Sequence, residues 1–126
     1  MNEKYRVLIV DDNAKIRNLI TNILRSAGFK TITEAENGKI AWDMIQEKGY
    51  DLILTDVMMP EMDGHELLKR IRTGPEELKS TPVMMISASD SSNDILNAAK
   101  YKINGYIVKP FRIKTMLDKI NTVLCG

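Results

Sequence analysis

Four short apolar runs limit what this chain can fold into. They cover residues 7–10, 52–54, 83–86 and 106–108, and each is apolar throughout instead of alternating with polar residues. A strand of this kind is covered on both faces, as in a parallel sheet with helices packed on either side. Residues 31–33 form a weaker and more polar run, which we interpret as a strand at the edge of that sheet.

The segments between these runs have the period of helices. Apolar residues recur at steps of three and four within residues 16–27, 40–45, 67–71, 95–99 and 113–124. Asn13 is placed to cap the first helix and Gly28 to close it, and Asn37 opens the second. Five repeats of strand then helix predict an α/β fold, a doubly wound (βα)5 parallel sheet with right-handed crossovers.

Composition excludes several classes of protein. A chain of 126 residues has the length of one domain, so we expect residues 1–126 to form a single unit. The 18 basic and 17 acidic residues give a net charge of +1, without the basic excess typical of nucleic-acid binding. One His and one Cys exclude a His/Cys zinc site. No apolar stretch is long enough for a membrane span or a signal segment, so we expect a cytoplasmic protein.

Polar residues follow four of the five predicted strands. Asp11 and Asp12 follow the first, Asp56 the third, Ser87 the fourth and Lys109 the fifth. Ligands of doubly wound sheets bind outside the carboxyl ends of the strands, where these side chains would meet. Taken alone, the paired acids could equally well cap the next helix. Their combination with the other strand-end residues favours a functional site.

The three acids would repel one another if they converge. Two unit charges about 5 Å apart cost roughly 3 kcal/mol at an effective dielectric constant near 20. Lys109 would offset part of this repulsion, and a hard divalent cation would offset more. Carboxylate ligands without His or Cys favour Mg²⁺ over zinc.

The strand-end motifs resemble those of response-regulator receiver domains over nearly the whole chain. The matching motifs are Asp11-Asp12, residues 56–64 (DVMMPEMDG), Ser87-Ala88 and Lys109-Pro110-Phe111. Residues 28–30, 34–38, 64–72 and 105–111 resemble the chemotaxis members of that family. The resemblance implies a flavodoxin-like sheet with strand order 2-1-3-4-5 and a cis peptide bond before Pro110.

The resemblance also implies a role for each site residue. Asp56 would be the phosphoacceptor. Asp12, the Asp56 carboxylate and the backbone carbonyl of Met58 would bind Mg²⁺ directly, and Asp11 would act mainly through water. Lys109 would pair with the phosphoryl oxygens, and the Ser87 hydroxyl would donate a hydrogen bond to one of them.

A conformational switch is the second implication of the resemblance. Movement of Ser87 toward the phosphoryl group would free space into which Tyr106 turns from an exposed position, changing the face formed by the fourth helix, fifth strand and fifth helix. A plainer interpretation makes Tyr106 a half-buried aromatic of an edge strand. The implied partners are a histidine kinase, with the chemotaxis type as the leading candidate, the flagellar motor switch protein or another effector, and a phosphatase. The apolar Met58 places recognition by a dedicated phosphatase in doubt.

Other functions are less compatible with these residues. Within the family, the alternatives are a non-chemotaxis single-domain regulator, a phosphorelay shuttle, or a receiver cut from a longer regulator. A haloacid-dehalogenase-type phosphatase would carry Asp-x-Asp after the first strand and a cap insertion. A flavodoxin-like cofactor binder would need a phosphate loop where this chain has two acids. We interpret the chain as a signalling phosphoacceptor and not as a metabolic enzyme, and His65 as a lone surface histidine.

Overall fold

The computed structural model describes residues 2–125 and contains a five-stranded sheet. Its strands run in the order β2-β1-β3-β4-β5, and every neighbouring pair is parallel. The bounds are β1 (Arg6–Val10), β2 (Thr31–Ala35), β3 (Leu52–Thr55), β4 (Val83–Ser87) and β5 (Gly105–Val108). The predicted fold class and strand order are confirmed, and β2 lies at an edge as its polar sequence predicts.

Five helices of two or more turns connect and follow the strands. They are α1 (Ala14–Ser26), α2 (Gly38–Glu47), α3 (Gly64–Arg72), α4 (Ser92–Lys100) and α5 (Ile113–Cys125). A 3₁₀ turn at Asn2–Lys4 and a one-turn helix at Glu76–Lys79 were not predicted. None of the helices within residues 2–125 combines the length and apolar character needed to cross a membrane.

The predicted helix starts depend on side-chain caps that the structure contains. The Asn13 side chain accepts hydrogen bonds from the backbone N–H groups of Lys15 and Ile16, at 2.9 and 3.3 Å. Asn37 caps α2 in the same way, with its side-chain oxygen 2.8 Å from the nitrogen of Ile40. These bonds satisfy donors that the first turn of a helix leaves without an intrahelical partner.

The sheet separates two apolar layers. Alternate side chains of a strand face opposite sides, so Val7 and Ile9 pack in one layer while Leu8 and Val10 pack in the other. Helices α1 and α5 cover the first layer, and α2, α3 and α4 cover the second. Every residue of β3 and β4 is buried, which explains why their sequences are apolar without alternation.

Arg72, at the end of α3, joins the amino-terminal side of the sheet. All five N–H groups of its guanidinium donate to oxygen atoms in the segments that precede β4 and β5. The acceptors are the backbone carbonyls of Lys79, Thr81, Tyr101 and Lys102 and the side-chain oxygen of Asn104, at 2.7–3.1 Å. The planar fork of arginine matches several acceptors at once, whereas a lysine ammonium cannot reach them all.

We expect Arg72→Lys to lower the free energy of unfolding by about 2–3 kcal/mol, because several carbonyls, including the partly buried ones of Thr81 and Tyr101, lose their donors while the positive charge is kept. Urea denaturation measures the change. Arg70→Lys is the matched control on the same helix, where the arginine pairs with Glu66 on an exposed surface, and its expected loss is below about 0.5 kcal/mol. Equal losses in the two variants would contradict the role assigned to Arg72.

Candidate functional site

The sheet brings the predicted strand-end residues to one edge. Asp11 follows β1, Asp56 follows β3 and Lys109 follows β5. Backbone hydrogen bonds continue the strand pairing into these positions: the Asp56 N–H donates to the Val10 carbonyl at 2.9 Å, and the Lys109 N–H donates to the Ser87 carbonyl at 2.7 Å. The peptide bond between Lys109 and Pro110 is cis, as the family resemblance implies.

Three carboxylates meet at this edge. One oxygen each of Asp11, Asp12 and Asp56 lies within 4.8 Å of the others. Asp11 is only 2% exposed, whereas Asp12 is exposed to solvent. The Lys109 ammonium lies 3.0 Å from an oxygen of Asp11 and 3.5 Å from an oxygen of Asp56. The site therefore sets three carboxylates against one neighbouring lysine.

Burial raises the pKa of Asp56 above its usual value, and the nearby Asp11 carboxylate adds to the rise. The Lys109 ammonium and the backbone N–H of Val57 oppose it but do not cancel it. A second cation would relieve this excess of negative charge. The donors are hard oxygen atoms close enough to share one ion, so these residues fit Mg²⁺.

The loop after Asp56 is packed tightly against the start of α3. The Val57 N–H donates to the Asp56 carboxylate at 2.7 Å, and the Gly64 N–H donates to the Val57 carbonyl at 2.8 Å. A Cβ atom on Gly64 would collide with the backbone oxygen of Asp56, so only glycine allows this approach. The Met58 side chain is 73% exposed near the site.

Ser87 and Tyr106 meet through the loop between β4 and α4. Ser87 is buried, and its hydroxyl oxygen accepts a hydrogen bond from the Ser89 N–H at 3.1 Å. The Tyr106 hydroxyl donates to the Ser89 carbonyl at 2.8 Å. Tyr106 is partly buried and packs against the core, so the expectation of an exposed starting position differs from the structure. The ring lies inward against the core, and its hydroxyl has the Ser89 carbonyl as its acceptor there.

His65 is not the lone surface residue that we expected. Its Nε2 atom lies 2.9 Å from a carboxylate oxygen of Asp94, and its side chain is only 14% exposed. The Ser89 and Ser91 hydroxyls also donate to Asp94. Hydrogen bonds from Ser89, His65 and Ser91 hold the pKa of Asp94 below its usual value. Asp94 was not predicted, because 29 residues separate it from His65 and no sequence pattern relates them.

Residues 7–121 match the family described as the response regulator receiver domain. The chain belongs to this family. Chemotaxis protein CheY-3 of Vibrio cholerae serotype O1 is 42% identical over 123 residues, covering 98% of this chain and 94% of the relative. Chemotaxis protein CheY of Pseudomonas aeruginosa is 39% identical over 118 residues, or 94% of each chain. The chain is therefore a CheY-like receiver domain.

Solved receiver structures agree with this assignment. CheY4 of Vibrio cholerae superimposes with a TM-score of 0.87 at 32% identity, covering 95% of this chain and 98% of that one. The receiver domain of a sensor histidine kinase from Pseudomonas aeruginosa also gives 0.87, at 26% identity and coverages of 97% and 98%. That second structure has a magnesium ion coordinated in its active-site cleft.

We expect Asp56→Asn to stabilise the metal-free receiver at neutral pH by about 1 kcal/mol, because it removes a partly buried charge from a cluster of like charges. Folding raises the pKa of Asp56, so the folded protein binds this proton more tightly than the unfolded chain. The stability contributed by Asp56 is therefore present at low pH and is lost as the pH rises through the folded pKa.

Urea denaturation in EDTA at several pH values measures this difference. The stabilisation by Asp56→Asn should shrink as the pH falls through the raised pKa of folded Asp56 and should vanish below the ordinary carboxyl pKa of about 3.9. Asp43→Asn, which removes an exposed carboxylate from α2, is the matched control and should be nearly neutral. A metal-free Asp56→Asn protein less stable than wild type at pH 7 would contradict the charge argument.

Proposed function

We propose that this receiver is a phosphorylation-activated signalling protein that accepts a phosphoryl group from a histidine kinase on Asp56. The observation that carries the proposal is the position of the Asp56 carboxylate at the carboxyl edge of the sheet, within 4.8 Å of oxygens of Asp11 and Asp12 and 3.5 Å from the Lys109 ammonium. This arrangement supplies a nucleophile, an oxygen-rich cation site and a positive charge for phosphoryl oxygens.

In the proposed reaction, a carboxylate oxygen of Asp56 forms a bond to phosphorus. The bond between phosphorus and the kinase histidine nitrogen breaks, and its electron pair stays on that nitrogen. Asp12, Asp56 and the Met58 carbonyl would hold Mg²⁺, with Asp11 acting through water. The ion would neutralise charge on the phosphoryl oxygens. Lys109 would orient one of these oxygens while remaining tethered to Asp11.

Ser87 would connect the modified site to the output surface. Its oxygen accepts from the Ser89 N–H, which leaves its own proton free to donate to a phosphoryl oxygen. The face of α4, β5 and α5 would then present Tyr106 and its surroundings to a partner. We infer that this receiver acts in the cytoplasm, and the chemotaxis relatives support the flagellar motor switch protein as its effector.

Incubation with phosphoramidate or acetyl phosphate should add one phosphoryl group, detected by intact-mass spectrometry. The addition should require Mg²⁺, because the metal offsets the charge that the donor brings to an acidic site. It should disappear in Asp56→Asn and persist in the exposed-carboxylate control Asp43→Asn. The same measurement is then made with purified histidine kinases, of the chemotaxis type and of other types. If neither the small donors nor these kinases add a phosphoryl group to the folded, Mg²⁺-loaded protein, the proposed function is wrong.

We expect Tyr106→Ala to leave the extent of Asp56 phosphorylation nearly unchanged and to weaken effector binding about tenfold, since an aromatic ring is lost from the output face. Calorimetry with a motor-switch peptide and the phosphorylated proteins measures the affinity. Tyr106→Phe separates the ring from its hydroxyl. Equal affinities of fully phosphorylated wild type and Tyr106→Ala would contradict the role of Tyr106. If the phosphorylated wild type instead binds a histidine phosphotransfer domain in preference to the motor-switch peptide, the phosphorelay shuttle is favoured.

A further inference from the structure

Ser89 is a junction of four hydrogen bonds in the loop between β4 and α4, one of which its hydroxyl oxygen accepts from the Ser91 N–H at 3.3 Å. Its N–H donates to the Ser87 hydroxyl at 3.1 Å, its carbonyl accepts from the Tyr106 hydroxyl at 2.8 Å, and its own hydroxyl donates to the Asp94 carboxylate. The conformation of Ser89 therefore affects two groups. It provides the donor that leaves the Ser87 hydroxyl proton free, and it places the carbonyl that accepts from Tyr106.

Asp94 anchors the junction from the first turn of α4. One carboxylate oxygen accepts from the Ser89 hydroxyl and from the Ser91 hydroxyl, the latter at 3.1 Å. The Ser91 hydroxyl oxygen also caps α4 by accepting from the Asp94 N–H at 3.1 Å. The second carboxylate oxygen is thereby left for His65 of α3, at 2.9 Å.

His65 is itself oriented by this contact. Its Nδ1 atom is buried and has no hydrogen-bond partner within residues 2–125, so the bond to Asp94 is the polar contact that fixes the ring. Removing His65 leaves one Asp94 carboxylate oxygen without this hydrogen bond, and removing Asp94 leaves the His65 Nε2 without its partner. Because both groups are partly buried, loss of either one removes the benefit of the other, and the pair is cooperative. Since α3 begins at Gly64, which packs against the Asp56 backbone, the pair ties the start of α3 to the loop that contains Ser89.

We propose that the His65–Asp94 pair is a latch that holds the Ser89 junction with Tyr106 turned inward before Asp56 is phosphorylated. His65 and Asp94 are positioning residues that act through Ser89. This inference deepens the proposed function and rests on it, because it describes the resting position of the proposed switch. With the latch closed, phosphorylation would reinforce an arrangement that is already favoured.

The test uses ¹⁹F NMR of receiver labelled with 3-fluorotyrosine, in EDTA and without phosphodonor. The chain has four tyrosines, and Tyr106→Phe assigns the resonance of Tyr106. We expect a buried Tyr106 resonance in wild type. In His65→Phe and Asp94→Asn, the ratio of inward to outward Tyr106 should fall about tenfold, which shifts the resonance toward its solvent-exposed position.

Asp118→Asn is the matched control, because it removes a carboxylate from an exposed ion pair with Lys114 on α5. The control should reproduce the wild-type spectrum. The double variant of His65 and Asp94 should shift Tyr106 no further than either single variant, since both changes open the same latch. Unchanged resonances of the other three tyrosines show that each variant is folded.

A Tyr106 resonance in both variants that coincides with wild type would overturn the latch, as would additive shifts in the double variant. The experiment contains no phosphodonor, so these outcomes say nothing about phosphorylation of Asp56, which the intact-mass measurement tests separately. Failure of Asp56 to accept a phosphoryl group, with the expected ¹⁹F shifts, would instead overturn the proposed function and leave the latch as a conformational device.

Discussion

The Lys109 ammonium lies between two carboxylates, and the arrangement of the site depends on that placement. A parallel sheet brings the carboxyl ends of its strands to one edge, so residues that follow different strands must share a small volume. Here that volume receives the charges of Asp11, Asp12 and Asp56. Lys109 contacts Asp11 and Asp56 and offsets only part of the repulsion, and the remaining charge is what makes the edge receptive to a cation.

The end of β4 and the contacts of Tyr106 meet in a single loop. Ser87 ends β4 beside the acidic cluster, and two residues later Ser89 contacts both Tyr106 and Asp94. A small displacement of this loop would change the hydrogen bonds of Ser89 with Ser87, Tyr106 and Asp94 together. Packed interfaces of this kind respond by changing between discrete arrangements, because hydrogen bonds break or form as units.

Much of the fold could be predicted from sequence because its signals are local. The fully buried β3 and β4 require continuous apolar runs, and the caps at Asn13 and Asn37 lie next to the helices they begin. The strand-end acids were predictable for the same reason, since each directly follows its strand. The strand order came from the family resemblance, because the pattern of runs does not specify which strands are neighbours.

Contacts between distant segments could not be predicted in this way. The pairing of His65 with Asp94, the inward position of Tyr106 and the five acceptors of Arg72 depend on tertiary packing, and most acceptors of Arg72 are backbone carbonyls that any residue provides. Arg72 lies before β4 and β5, whereas the acidic cluster follows the strands, roughly 15 Å away for strands of about five residues. This separation bears on how such a protein can evolve. Loops at the carboxyl edge can change to suit new partners, while the hydrogen bonds of Arg72 at the opposite edge keep the segments before β4 and β5 in place.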